Sequence, residues 1–268
     1  MRGRVTVKKI NRNIAMIALF AGAAIMIFLE NYPIEFAVDE QLNELIKKTL
    51  TRGIGSVAAL IIVLHLGYRV HNIKGLGRQL AFSIPCFLVV INNLPIIALI
   101  TNNAYLSTTP GRLIWFTLEC LFIGIFEECV FRGTLFMILL EKKRSATKEI
   151  FWTTIAGSAI FGAVHLLNLL GGAGIGPTVM QVGYSFLIGG MCSVVLLKTR
   201  NVWLCALLHG IYDFCGFLLP TLGGGTWWDT PTIIITVILA VATAIYMIFA
   251  LLRITPESLD PLFDKERH

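Results

Sequence analysis

Charge is scarce in this sequence, and several other absences narrow its class further. Only 14% of the 268 residues are Asp, Glu, Lys or Arg, while 56% are hydrophobic. A water-facing globular domain carries about 25% charge, so that class is excluded. None of the six cysteines forms a CxxC pair, and Cys86, Cys120, Cys129, Cys192, Cys205 and Cys215 each fall inside an apolar run. A cysteine zinc site or disulfide framework is excluded, and these residues act as small apolar side chains. No stretch rich in Pro, Gly and Ser is long enough to divide the chain into separate units. Residues 1–268 therefore read as a single membrane-embedded domain with a core at 13–252. No basic stripe interleaved with aromatics is present, which excludes nucleic acid as a partner. The glycine-rich turn at 171–176 lacks the lysine of a phosphate loop, and the HExxH pattern of soluble metalloproteases is absent.

What remains is a set of apolar runs. A membrane-crossing helix needs about 20 apolar residues. Eight runs qualify: 13–29, 56–68, 80–100, 113–140, 150–170, 178–197, 202–219 and 232–252. The second is short, and the fourth is long enough to tilt. Residues 35–52 run from acidic to basic, with Phe36, Leu42, Leu45, Ile46 and Leu50 loosely on one face. They read as an amphipathic helix on the outer surface. The first run has a basic start and an Ala21-Gly22-Ala23 stretch, yet it continues to Leu29. We read it as an uncleaved anchor, not a signal peptide.

Basic residues set the orientation. Arg2, Arg4, Lys8, Lys9 and Arg12 precede the first run; Arg69, Lys74 and Arg78 separate the second and third; Lys142, Lys143, Arg144 and Lys148 separate the fourth and fifth. With Lys198, Arg200, Arg253, Lys265 and Arg267, seventeen of the 22 Lys and Arg fall on one side. By the positive-inside rule that side is cytoplasmic. The expectation is a multi-pass cell-membrane protein with both termini in the cytoplasm. The net charge of +6 then reflects topology.

Ionisable side chains inside the runs are the chemical signal. The fourth run carries Glu119, Glu127, Glu128 and Arg132; the fifth carries Phe161 and His165; the seventh carries His209 and Asp213. Charges at bilayer depth are costly and persist where they face a cavity and have a partner or a function. Glu128 and Arg132 stand four apart and share a helical face, whereas Glu127 is turned away by about 100°. One carboxylate is thus free to act as a general base while the other is paired. His209 and Asp213 are also four apart. That pair fits a donor with its orienter, or two metal ligands. Counting from the cytoplasmic ends, Glu127 lies ~20 Å deep, His165 ~22 Å, His209 ~10 Å and Asp213 ~16 Å. Groups from three helices can therefore meet inside the membrane. His65 reads as an interhelical hydrogen bond, Glu119 as lying outside the site, and Phe161 as packing beneath His165. Recurrent Ser185, Gly189 and Ser193 mark a face for close helix packing.

EECVFR at 127–132, FGAVH at 161–165 and HGIYD at 209–213 resemble, in order, the three motifs of the CAAX-protease and bacteriocin-processing (CPBP, Abi) family of intramembrane proteases. The motifs and the eight-run count imply an all-α polytopic membrane protein of about eight helices. Its active site would lie among helices 4–7, within the motif-bearing segment 113–219. The resemblance implies that Glu127 activates water, that His165 holds that water, and that His209 and residue 213 stabilise the oxyanion. Glu128 with Arg132 would orient the helix. The CAAX branch has Asn at the last position, where this chain has Asp213. A carboxylate donates a hydrogen bond to an oxyanion only when protonated. Asp213 is thus open to three roles: a neutral donor, an orienter of His209, or a cation ligand. A metal-free reaction is preferred. If zinc binds, the ligands would come from Glu127, His165, His209 and Asp213.

The reading is an intramembrane endopeptidase acting on a membrane-associated or lipidated protein or peptide. In the CAAX branch it would remove a C-terminal tripeptide from a prenylated protein. In the bacterial branch, favoured by the compact chain and short loops, it would mature a peptide or confer bacteriocin immunity. Two rivals stand beside it: a proton- or ion-coupled transporter, and a non-catalytic membrane scaffold. The first would show related halves, but the ionisable residues are concentrated in runs four to seven.

Overall fold

The computed structural model describes residues 11–226 and 228–263. Arg2, Arg4, Lys8, Lys9, Lys265 and Arg267, which contribute to the expected orientation, lie outside the described residues. Among the described residues the chain is all-α apart from two strands of three residues each. Its long helices are α1 (Arg12–Glu30), α2 (Glu40–Leu66) and α3 (Leu76–Asn92), followed after a short α4 (Ile96–Ile100) and β1 (Ala104–Leu106) by α5 (Pro110–Glu128). A π-helical segment, Cys129–Phe136, joins α5 to α6 (Met137–Lys142). Then come α7 (Thr147–Val164) with a 3-10 extension His165–Leu169, α8 (Ile175–Thr199), α9 (Val202–Leu222), β2 (Gly223–Gly225) and α10 (Thr230–Leu252). A 3-10 turn and α11 (Asp260–Phe263) complete the described chain.

Six of these helices are long and apolar enough to cross a membrane: Arg12–Glu30, Glu40–Leu66, Thr147–Leu169, Ile175–Thr199, Val202–Leu222 and Thr230–Leu252. The third expected run is shorter than read. It stops at Asn92, and α3 is a 17-residue apolar helix. Pro95 disfavours helical geometry in the residue before it, so the chain turns there and restarts as α4. The fourth run is helical from Pro110 to Lys142, but its ionisable groups dilute its hydropathy.

The amphipathic surface helix expected at 35–52 is not separate. It is the first half of α2, a continuous helix of 27 residues. Asp39 caps its start by accepting from the Leu42 amide, and Gly67 closes it at φ 76°. The glycines that interrupt its apolar pattern are contact points. A Cβ on Gly53 would sit 3.3 Å from the Phe122 ring, and one on Gly55 would sit 2.1 Å from Met26 Sδ. Its charges are paired: Lys47 with Glu44 at 2.5 Å, and Arg52 with Glu30 and Glu119. The low hydropathy of this half thus marks ion pairs within a helix bundle, where a water-facing surface was expected.

The connections gather at two ends. At one, β1 pairs antiparallel with β2, and Arg112 at the start of α5 pairs with Asp39 at the start of α2. The glycine-rich segment 223–225 thus forms strand β2. A Cβ on Gly223 would lie 2.2 Å from the Tyr105 carbonyl oxygen, so a side chain is excluded. At the other end, the Val202 amide donates to Val70, the Asn72 amide to Arg200, and the Arg69 amide to Leu262. Glu141 there receives both Arg12 and the Tyr68 hydroxyl. Most of the described basic residues thus share one end of the bundle.

The bundle is inverted relative to a soluble protein. Ile17, Phe28, Ile238 and Ile245 on α1 and α10 point outward and are more than half exposed, whereas Glu128, Arg132, His209 and Asp213 are buried. An apolar exterior of this extent suits lipid, because backbone polar groups are satisfied within the helices.

Candidate active site

The site is built where α5 crosses α9. Gly124 and Gly210 make the crossing close. A Cβ on Gly124 would lie 2.4 Å from the Ala206 carbonyl oxygen and 2.8 Å from the Gly210 amide nitrogen. Backbone meets backbone, which brings the last turn of α5 against the middle of α9. Glu127 and Glu128 then face His209 and Asp213. The helix changes to π geometry directly after Glu128. Such wide turns inside α-helices recur at functional sites, and nothing in the sequence pattern announces this one.

The two adjacent glutamates separate as expected. Glu128 is fully buried, with Oε1 2.9 Å from Arg132 Nη1. That approach is a charge contact without hydrogen-bond alignment, since Arg132 Nη1 and Nη2 and Glu128 Oε2 lack hydrogen-bond partners. The guanidinium instead stacks 4.1 Å from the centroid of the Phe161 ring, a cation–π contact. Glu127 is turned into a cavity, its side chain 26% exposed.

His209 Nδ1 lies 2.8 Å from Glu128 Oε1 and donates to that carboxylate. The bond fixes the ring and aims Nε2 at the cavity, 3.5 Å from Glu127 Oε2 and 3.6 Å from Asp213 Oδ2. Of the three roles open to Asp213, orienting His209 through Nδ1 is thus taken by Glu128. His165 sits where α7 gives way to the 3-10 extension. Its Nδ1 lies 3.0 Å from the Phe161 carbonyl oxygen, which can only accept, so Nδ1 carries the proton and Nε2 is left free. Phe161 does more than pack beneath His165: its ring is edge-on to both His165 (5.3 Å) and His209 (5.7 Å). It separates the imidazoles while bearing Arg132 on its face.

Glu127, His165, His209, Asp213 and Phe161 line one cavity of about 370 Å³. Glu128 and Arg132 stand behind it. Two sequence readings are corrected. Glu119, expected outside the site, lines the cavity, because it lies two turns from Glu127 on the same helix and α2 closes over both. His65, expected to bond another helix, is exposed and bonds the Ile61 carbonyl of its own helix at 2.7 Å. The expected face on α8 is real. A Cβ on Gly189 would lie 3.0 Å from Arg132 Nη2 and 3.1 Å from the Phe161 ring, so α8 supports the ring from behind.

Sequence reasoning missed Arg52, Tyr184 and Tyr212, all on the cavity wall. Tyr212 was visible inside HGIYD. Arg52 was hidden by assignment of its segment to the surface. Among the described residues, no three His, Cys, Asp or Glu side chains are arranged to hold a metal ion, and Glu128 already occupies Nδ1 of His209. The residues present do not form a preassembled zinc cage.

No curated protein matches the chain. Residues 109–215 match the family described as Type II CAAX prenyl endopeptidase Rce1-like. That stretch runs from the Thr109 cap of α5 into α9 and contains Glu127, His165, His209 and Asp213 together with the Glu128–Arg132 pair. Over this motif-bearing stretch the chain is similar to the CAAX prenyl endopeptidase family, and its fold is that of a polytopic membrane protein.

Proposed function

We propose that the protein is an intramembrane endopeptidase in which Glu127 activates a water molecule without a metal. The observation that carries this reading is the convergence of Glu127, His165, His209 and Asp213, from three helices, on one polar cavity. Glu127 takes a proton from water, and His165 Nε2 holds that water by accepting its second hydrogen. The hydroxide attacks the scissile carbonyl carbon. The oxyanion receives hydrogen bonds from His209 Nε2–H and from a protonated Asp213. Glu127 then returns its proton to the leaving amine, giving a carboxylic acid and an amine. A general base of this kind contributes typically 10²–10⁴-fold.

The substrate is a membrane-associated or lipidated peptide. A second, apolar cavity of about 610 Å³ adjoins the first and shares Tyr184, Ile188, Tyr212 and Phe217 with it. A hydrocarbon anchor fits that lining while the peptide occupies the polar side. Both termini face the cytoplasm, following the basic residues gathered at one end. Trimming of a prenylated protein and maturation of a bacterial peptide share this chemistry. Comparative peptidomics of membranes carrying wild type or Glu127→Gln tests the assignment. A precursor that accumulates only with the variant supports it, and identical peptide profiles contradict it.

A further inference from the structure

We infer that the catalytic cavity opens on the non-cytoplasmic face, so that the substrate is a peptide segment presented outside the cytoplasm. The substrate rests on the proteolytic reading above, and the face on the orientation set by the basic residues. Along α9 the cavity runs from Thr221, beside the C-terminal residue of that helix, down to His209. That is a depth of about 18 Å at the helical rise. Asn168, exposed in the 3-10 extension of α7, and Gln181, early in α8, stand at the same end and form its rim. Their side chains bond each other at 2.8 Å. This is the end of the bundle that carries the β1–β2 pair and the Arg112–Asp39 contact. Lys142, Lys143, Arg144 and Lys148 flank the α6–α7 turn, and Lys198 and Arg200 the α8–α9 turn, at the opposite end.

Toward that basic end the cavity is closed. The stretches leading to the basic turns are 129–142, 147–160, 189–199 and 202–208, and none of their residues lines it. They pack instead into one apolar core, in which Phe136, Met137, Leu140, Ile150 and Leu196 are fully buried. Interiors of this kind are close-packed, with few voids larger than a water molecule, so neither a peptide nor a file of water passes through. The adjoining apolar cavity does reach further toward the basic end, along Phe151, Val194 and Leu251. It admits hydrocarbon there, but a peptide backbone would leave its polar groups unpaired. Both the scissile segment and the water activated by Glu127 therefore enter past Asn168, Gln181 and Thr221. Of the two substrates named above, this favours a peptide whose cleaved segment has crossed the bilayer.

The test introduces Asn168→Cys at the rim and Lys148→Cys at the basic end of the full chain, whose six native cysteines are buried. Intact spheroplasts of a bacterial host are treated with a membrane-impermeant maleimide. Asn168→Cys should be labelled in intact cells, and Lys148→Cys only after permeabilisation. Equal or reversed labelling overturns the inference. A second arm reads the substrate side. A pool of single-span reporter proteins carries the same peptide segments either outside or inside the cytoplasm, co-expressed with wild type or Glu127→Gln. Cleavage of the outside set, lost in Glu127→Gln, is expected. Cleavage of the inside set alone overturns the inference and leaves the protease intact. No cleavage of either set, with Asn168→Cys labelled from outside, removes the proteolytic reading and leaves the outward mouth. If a cysteine variant fails to fold, the reporter arm decides alone.

Discussion

Gly124→Ala is the most informative single substitution in this fold, because one methyl group tests whether the α5–α9 crossing sets the site. The added Cβ would lie 2.4 Å from the Ala206 carbonyl oxygen and 2.8 Å from the Gly210 nitrogen, both backbone atoms of α9. Ordinary contact needs about 3.5 Å, so the helices must separate by about 1 Å. The Glu128–His209 bond of 2.8 Å spans the same interface. A separation of that size takes it beyond hydrogen-bonding range and releases the imidazole. Misplacement of a catalytic group by about 1 Å costs on the order of 10²-fold in rate, and overpacking of this kind destabilises by about 1–3 kcal/mol. The assay is kcat/KM on a reporter peptide in nanodiscs, with thermal unfolding followed in parallel. Gly183→Ala is the control, since a Cβ there meets nothing within 4 Å; it should keep activity and unfold no earlier. Wild-type activity in Gly124→Ala would refute the argument that this crossing aligns the site.

Other substitutions separate the remaining roles. Arg132→Leu leaves Glu128, which is fully buried, without its cation. Breaking a buried pair costs about 3–5 kcal/mol, so a lowered unfolding midpoint is expected even for protein carrying Glu127→Gln. Asp213→Asn replaces an acid that donates only when protonated with an amide that donates at every pH. The loss of activity with rising pH expected of wild type should therefore be absent from the Asp213→Asn pH profile. Asp39 caps α2, and its carboxyl is held below its usual value first by the Arg112 hydrogen bond and then by the Leu42 amide. Its contribution is present above the unfolded-state value and is lost as pH falls through the lower folded value. Hydrogen exchange at the first turn of α2 should accelerate in that acid window, and in Asp39→Ala the window should disappear. If metal-free chemistry holds, a zinc chelator leaves cleavage unchanged; loss restored by added zinc would instead favour metal catalysis.

The membrane class was legible because the bilayer demands long apolar runs, and these runs are largely helical here, the third broken after Asn92. The separation of Glu127 from Glu128 was legible from helical angle alone. Other features were hidden for identifiable physical reasons. The lower half of α2 reads as a surface segment because ion pairs between distant positions leave no trace in local hydropathy: Arg52 meets Glu30 and Glu119, 22 and 67 residues away. The π segment after Glu128 depends on how α5 fits against α9 and α2, not on residue type. The strand at Gly223–Gly225 lacks a strand-like composition because its glycines serve close approach to Tyr105. The Nδ1 partner of His209 also escaped spacing arguments. Asp213 was the neighbour in sequence, but Glu128, 81 positions away, takes the bond.

The most direct measurement is hydrolysis of a farnesylated reporter peptide by purified wild type and Glu127→Gln in H₂¹⁸O, read by mass spectrometry. Wild type should place one ¹⁸O in the new carboxyl group, and folded Glu127→Gln should release fragment at least about 10²-fold more slowly. Release by the variant at the wild-type rate would contradict the assignment of Glu127 as the base.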